Sequence, residues 1–129
     1  TISDYYQEWI NEQIRPMNRL TERAIAYIEQ HYHDPDLSFR GLCEALFVSS
    51  SYLSKIFKQD IGETFVDYLT KIRIQKALQL LANPQHRIYE IANLTGYKSQ
   101  HYFSAAFKRI LGVTPTEYRT RGMGTGERN

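Results

Sequence analysis

A single cysteine, Cys43, leaves the chain without a partner for an intrachain disulfide and without the ligands of a Cys-rich zinc cluster. Such usage fits a reducing compartment, and a cytoplasmic location is expected. Glycine and proline are sparse too, at 7 and 4 of 129 residues, which excludes collagen-like and low-complexity chains. No apolar run approaches the roughly 18–20 residues of a bilayer span, and the first residues lack the charged-then-apolar pattern of a leader, so no membrane contact is expected. Also missing are a nucleophile, base and orienter set, a Gly-rich phosphate loop and an acid pair in an apolar setting; the chain does not read as an enzyme. His31 and His33 have no Cys or third His nearby, which points to a solvated helix end rather than a metal site. No cofactor is implied.

What is present is enough for a folded domain: 42% hydrophobic and 23% charged residues. Net charge is only +2, but its distribution is uneven. Residues 1–49 carry four arginines against eight acids, a net −4, whereas residues 50–129 carry twelve bases against six acids, a net +6. A basic half suits a polyanion, although ordinary surfaces show such swings as well.

Periodicity and caps predict an all-α chain. Helices are expected over Ser3 to Ile14, ended by Pro16, and over about Leu20 to Tyr32, with Thr21 as the cap. Ser38 caps a short helix with Phe39, Leu42, Cys43 and Leu46 inward, and Ser49 or Ser50 opens the next, closed by Gly62. Thr64 starts a longer helix to about Ala82, stopped by Asn83-Pro84. Helices over Ile88 to Leu94 and Ser99 to Leu111 follow, then a last one from Thr114-Pro115, with a disordered tail at 122–129.

Self-similarity organises these helices. Tyr52, Ser54, Phe57, Lys58, Gly62, Thr64 and Tyr68 recur 50 residues later as Tyr102, Ser104, Phe107, Lys108, Gly112, Thr114 and Tyr118. Upstream, Leu42-Cys43 matches Ile91-Ala92 and Phe47 matches Gly96 at an offset of 49, so the second copy has one extra residue in its turn. Each copy is a short helix, a tight turn and a second helix opening on small polar residues, the pattern of a helix-turn-helix. Leu53, Ile56 and Phe57, with Phe103, Ala106 and Phe107, are expected in the core. Ser50, Ser51, Ser54 and Lys55, with Gln100, His101, Ser104 and Ala105, are then left outward as candidate readers of base edges. From Thr64 to Ala82 the connecting helix would be about 28 Å long, close to the roughly 34 Å between successive major-groove segments on one face of DNA. Lys58, Lys98, Lys108 and Arg119 are candidate phosphate contacts, with ordinary solvated charge the alternative. Tyr52 and Tyr102 are expected to share a structural duty, and Cys43 to be a packing residue. Trp9 could pack on the body of the domain or on an upstream one.

The run Ser51-Tyr52-Leu53-Ser54-Lys55-Ile56-Phe57-Lys58 with Gly62 resembles the AraC/XylS transcription regulators. So do Ile91-Ala92, Gly96-Tyr97, Tyr102-Phe103-Ser104, Phe107-Lys108, Gly112-Val113-Thr114-Pro115 and Tyr118-Arg119. The likeness covers about residues 20–120 and is most specific in the second half. It implies a first helix-turn-helix subdomain at 19–63, a linker helix at 64–83 and a second subdomain at 84–121, preceded by a connector helix at 1–18. It also implies binding to double-stranded promoter DNA, contact with RNA polymerase to activate transcription, and an upstream sensor or receiver domain, with two-component response regulators as the most similar subclass. The family's base-reading slots fall on Ser51, Ser54 and Lys55, and on Gln100, His101, Ser104 and Ala105. Three positions depart from the family pattern: Phe47 in the first turn, Cys43 where Ala is usual, and Ala105 where a long polar reader can occur. If its turn needs φ > 0, Phe47 would be strained by roughly 1–3 kcal/mol. The rival reading is a helical protein-interaction module that keeps the fold without binding DNA, and steep salt dependence of binding separates the two.

Overall fold

A computed structural model describes residues 2–13 and 16–128, and within them the side chains of 9–13 and 123–128 are outside the described set. Eight helices and no strand occur among the described residues, as the periodicity predicts. Short polar side chains open most of them. Ser38 caps α3 (Phe39–Leu46), Ser49 caps α4 (Ser50–Ile61), Thr64 caps α5 (Phe65–Leu81) and Ser99 caps α7 (Gln100–Leu111). α6 (Ile88–Leu94) starts instead with the Glu90 carboxylate accepting from the Arg87 N–H at 3.1 Å. Before α8 (Pro115–Arg128), Thr114 and Glu117 bond reciprocally: the Thr114 hydroxyl oxygen accepts from the Glu117 N–H, and Glu117 Oε1 from the Thr114 N–H.

One expectation is corrected. The cap of α2 (Arg19–His31) is Asn18, whose side chain accepts from the Leu20 N–H at 2.8 Å, and not Thr21. Thr21 lies inside the helix, fully buried, and its hydroxyl donates to Asp60 Oδ2 at 2.7 Å. The same carboxylate accepts from the Asn18 N–H, so the end of α4 ties down the start of α2 and recruits the hydroxyl that would otherwise cap. The backbone is helical to Arg128 over residues 122–128, which the sequence reading places in a tail. Glycine weakens a helix without forbidding it, and no proline stops this one. α1 (Ile2–Gln13) forms as expected, but Trp9 falls outside the described side chains.

The duplication is physical as well as sequential. Gly62 and Gly112 end α4 and α7 at φ 86° and 81°, their N–H groups donating to the Lys58 and Lys108 carbonyls. A Cβ at either would meet open space, so the positive φ alone calls for glycine there. In the first turn the N–H of Phe47 bonds the Glu44 carbonyl and that of Val48 the Cys43 carbonyl. Gly96 with Asn93 and Tyr97 with Ala92 repeat this closure 49 residues on. Gly96 takes φ 91° without strain, whereas Phe47 is held at φ 57°, a left-handed conformation that costs a side-chain-bearing residue about 1–2 kcal/mol. Its ring gains nothing in return, being 92% exposed.

Two cores result. Leu20, Ala24, Ile28, Leu42, Cys43, Leu46, Leu53 and Phe57 form one with Phe65, Leu69 and Ile72 of α5. Ile91, Ala92, Phe103 and Phe107 form the other with Ile74, Ala77 and Leu81, also of α5. At about 100° per residue the two α5 sets lie on nearly opposite sides of the helix. The helix read as a linker is thus a wall of each core, closing the first and opening the second. The rings of Phe57 and Tyr68 meet edge-on at 5.5 Å, and those of Phe107 and Tyr118 repeat the contact at 5.7 Å. Cys43 is buried as expected; burial, with Glu44 beside it, pushes its thiol pKa up.

Replacing Phe47 with Gly removes the left-handed strain and an exposed ring, set against the chain entropy of glycine. Phe47→Gly is expected to stabilise the fold by about 0.5–1 kcal/mol in urea unfolding; a destabilised variant would show that the ring makes a contact the fold needs. The hydrogen bonds from Thr114 hold the Glu117 carboxyl below the usual carboxylate range. Because the folded pKa is the lower one, Glu117 stabilises the fold above its unfolded pKa of about 4.3, and that contribution fades as pH falls through the folded value. A melting series through that acid window should fall less steeply for Glu117→Gln than for the parent.

Candidate nucleic-acid interface

α4 and α7 each bury one stripe and expose another. Leu53 and Phe57, and their counterparts Phe103 and Phe107, are fully buried or nearly so, anchoring the helices from below. Opposite them Ser50, Ser51, Ser54, Lys55 and Lys58 are exposed along α4. On α7 Gln100, His101, Ala105 and Lys108 are exposed and Ser104 is half-buried. Spacings of three and four residues put Ser51, Ser54, Lys55 and Lys58 on one strip, as they do His101, Ser104, Ala105 and Lys108. Every expected reader is thus on an outward or partly outward face. Ser49 and Ser99 accept from the N–H groups of Tyr52 and Tyr102 at 3.2 Å, which sets both helix starts alike.

Electrostatics at these starts are distinctive. α2, α5, α6 and α8 each carry an acid in the first turn, Glu22, Asp67, Glu90 and Glu117 respectively. α4 and α7 carry none, a lack they share with α3 but with no other helix from α4 onward, so the positive ends of their dipoles face no first-turn carboxylate. That signal was available in the sequence once the helix starts were known. Tyr52 and Tyr102 do share a position, but it is a surface one: their rings are 49% and 64% exposed. The His101 and Tyr102 rings lie 5.9 Å apart, nearly perpendicular, beside the strip.

The four phosphate candidates are not equivalent. Lys58 and Lys108 continue the exposed strips. Lys98, the extra residue of the second turn, reaches Asp36 at 3.6 Å between two exposed side chains, an ion pair that water and salt weaken. Arg119 donates through Nε to the Leu81 carbonyl at 3.3 Å and through a terminal nitrogen to the Asn83 carbonyl at 3.2 Å. Its guanidinium therefore takes the last carbonyl of α5, that of Leu81, and shares the Asn83 carbonyl just beyond it with the His86 N–H. Arg73 plays the same part at the end of α2, donating to the Tyr32 and Asp34 carbonyls at 2.9 and 2.8 Å. Sequence reasoning passed over Arg73 because backbone carbonyls some 40 residues away have no signature of their own.

Among the described residues no three His, Cys, Asp or Glu side chains group as metal ligands, and no helix is long and apolar enough to cross a membrane. Comparison with known proteins gives one consistent picture. The helix-turn-helix domain family matches residues 42–121. The fold is similar to that of the C-terminal domain of AraT, a response regulator from Geobacillus stearothermophilus, with 44% identity and a TM-score of 0.78 over 81% of this chain and 86% of that one. The chain is 36% identical over 96 residues to the raffinose operon transcriptional regulatory protein RafR of Pediococcus pentosaceus, covering 74% of this chain and 34% of the relative. It is 31% identical over 113 residues to the arabinose operon regulatory protein of Escherichia coli K12, covering 87% and 39%. The chain thus spans between a third and two-fifths of the length of these curated relatives.

The contrast between Arg119 and Lys108 is open to measurement. Arg119→Ala should lower unfolding stability by about 1–2 kcal/mol, since two charge-assisted bonds to carbonyls are lost. Lys108→Ala should leave stability within about 0.5 kcal/mol of the parent. Equal effects on chemical denaturation would refute this division of roles.

Proposed function

Because the chain belongs to the AraC-type helix-turn-helix family, we propose that it is the sequence-reading part of a transcription regulator, binding promoter DNA through α4 and α7 as two recognition helices. The observation that carries this reading is the paired geometry: two outward strips, alike in cap and spacing, at the two acid-free helix starts of the more basic part of the chain. In this reading Lys55 donates to guanine O6 and N7, Gln100 pairs with adenine, and His101 meets a base or a phosphate. Ser50, Ser51, Ser54 and Ser104 make permissive hydrogen bonds, and Ala105 touches a thymine methyl. Lys58 and Lys108 hold phosphates. Lys98 joins them by exchanging Asp36 for phosphate, and Arg119 does so only by sharing a guanidinium already bonded to carbonyls.

The wider role belongs to the same proposal. A single chain with two unlike heads suits an asymmetric site, where a dimer of single heads would suit a palindrome. The proposal extends to activation through RNA polymerase, control by an upstream sensor or receiver domain and a cytoplasmic location; similarity to a response regulator and two operon regulators supports the regulatory role. No catalysis is proposed. A protein-interaction module is the competing reading, and one feature favours it: the bare ring of Phe47 borders an open groove of about 680 Å³ that also touches Phe39, Cys43 and Val48.

Selection of bound duplexes from a random DNA pool at near-physiological salt tests the proposal. Two short boxes about one helical turn apart are the expected result. Enrichment of a single box would mean that only one head reads bases, and none, with the protein folded, would favour the interaction module. On the selected site, Lys55→Ala and His101→Ala should each lose about 1–3 kcal/mol of affinity and relax preference at one position. Lys58→Ala and Lys108→Ala should weaken binding to all sequences, each reducing the slope of log affinity against log salt by about 1.

A further inference from the structure

The two cores meet at one polar junction. Arg73 sits on α5 at the change from the side that lines the first core to the side that lines the second, between Ile72 and Ile74. Its Nε and a terminal nitrogen grip the Tyr32 and Asp34 carbonyls just beyond α2, in the first subdomain. The same guanidinium lies 5.5 Å from the centre of the Tyr97 ring, in the turn between α6 and α7 of the second. Beside it Gly96 comes so near the Tyr32 carbonyl that a Cβ would collide with that oxygen and stand 2.8 Å from Arg73 Nε. Gly96 is therefore glycine for a reason Gly62 and Gly112 lack: the two subdomains touch through its bare Cα.

Other contacts at this seam are weaker. The Lys98–Asp36 pair spans it at 3.6 Å, exposed on both sides. Lys76 bonds Glu29 at 3.4 Å and stands over the Tyr32 ring, joining α5 to α2 but not to the second turn. Arg73 alone combines half-burial, two charge-assisted bonds and a ring contact, in a rigid fork that a lysine cannot reproduce. Tyr97 contributes its face rather than its hydroxyl, which is buried without a hydrogen-bond partner.

We propose that Arg73 is a positioning residue that locks the second turn against the end of α2, sets the disposition of α7 relative to α4, and so decides which spacing of DNA boxes the protein accepts. The spacing clause rests on the DNA-reading proposal; the lock itself does not. Without that grip the heads are held by α5, the Gly96–Tyr32 approach and the exposed Lys98–Asp36 pair, and small rotations about α5 would let α7 follow a displaced box. Adding one base pair between boxes turns the second by about 36° and is resisted only if the heads are held.

The lock is tested without DNA by double electron–electron resonance between spin labels at Ser51→Cys and His101→Cys in a Cys43→Ala background. A single narrow distance distribution is expected for the parent and for Tyr97→Phe, which keeps the ring. Arg73→Met should broaden or shift it; an unchanged distribution would overturn the proposal. If Arg73→Met does not fold, Arg73→Lys carries the test, because one ammonium cannot reproduce the two-pronged grip, and an unchanged distribution there has the same force. Unlabelled proteins are then compared on duplexes carrying the selected boxes with the spacer changed by one base pair. The parent should lose about tenfold in affinity on the altered spacer and Arg73→Met less than about threefold. Equal discrimination by both would overturn the spacing role. Absence of binding by the parent to every duplex would sink the DNA reading instead, leaving the lock to the distance measurement.

Discussion

Helix α5 has to satisfy two cores at once, and the rest of the molecule is arranged around that demand. Phe65, Leu69 and Ile72 complete the first core, and Ile74, Ala77 and Leu81 begin the second from nearly the opposite side of the same helix. A helix apolar on two sides is stable only when both are covered, so each subdomain needs the other half of α5 occupied. Arg73 falls at the point where the two apolar sides change over. There a charged residue can leave the cores, reach the end of α2 and face the second turn. One helix therefore supplies hydrophobic closure to both heads and the polar contact between them.

The two heads share a plan without being equal. Each has a serine-capped second helix, α4 or α7, a C-terminal glycine at positive φ, and a Phe–Tyr edge contact closing its core. They differ where the turn is made. The second uses Gly96, which removes strain and allows close approach to Tyr32, and it carries the extra Lys98 toward Asp36. The first uses Phe47, strained and exposed, with no neighbouring subdomain against that turn. The end of the leading helix is treated alike in both: Arg73 closes α2 and Arg119 closes α5, each from the helix that follows α4 or α7.

Much of the site was legible because helical spacing converts directly into faces. Leu53, Phe57, Phe103 and Phe107 could be assigned inward from periodicity, which left Lys55, Gln100 and His101 outward. Caps at Ser38 and Thr64 followed from side-chain oxygens placed just before apolar runs, while the sequence leaves the start of α4 open between Ser49 and Ser50, and Ser99, which reads as the first residue of its helix, is the cap. Thr21 misled because a hydroxyl near a helix start is the same signal whether it caps or bonds elsewhere, and Asp60, its partner, lies 39 residues away. Arg119 resembled a phosphate contact because a surface arginine and an arginine that closes a helix end are identical in one dimension.

Local chemistry settled by itself which residues form helices, where most helices begin and end, that the unit is duplicated with one inserted residue, and which strip of α4 and of α7 points away from its core. These depend on bonds and spacings within a few residues, so a linear reading contains them. Only the tertiary structure decided that the connecting helix is shared by two cores, that Arg73 and Arg119 are turned toward carbonyls, and that Gly96 is required by an approaching oxygen as well as by its own φ. Their partners are backbone atoms tens of residues distant, and a backbone carbonyl is the same in every residue. No side chain announces it, and its position exists only once the chain has folded.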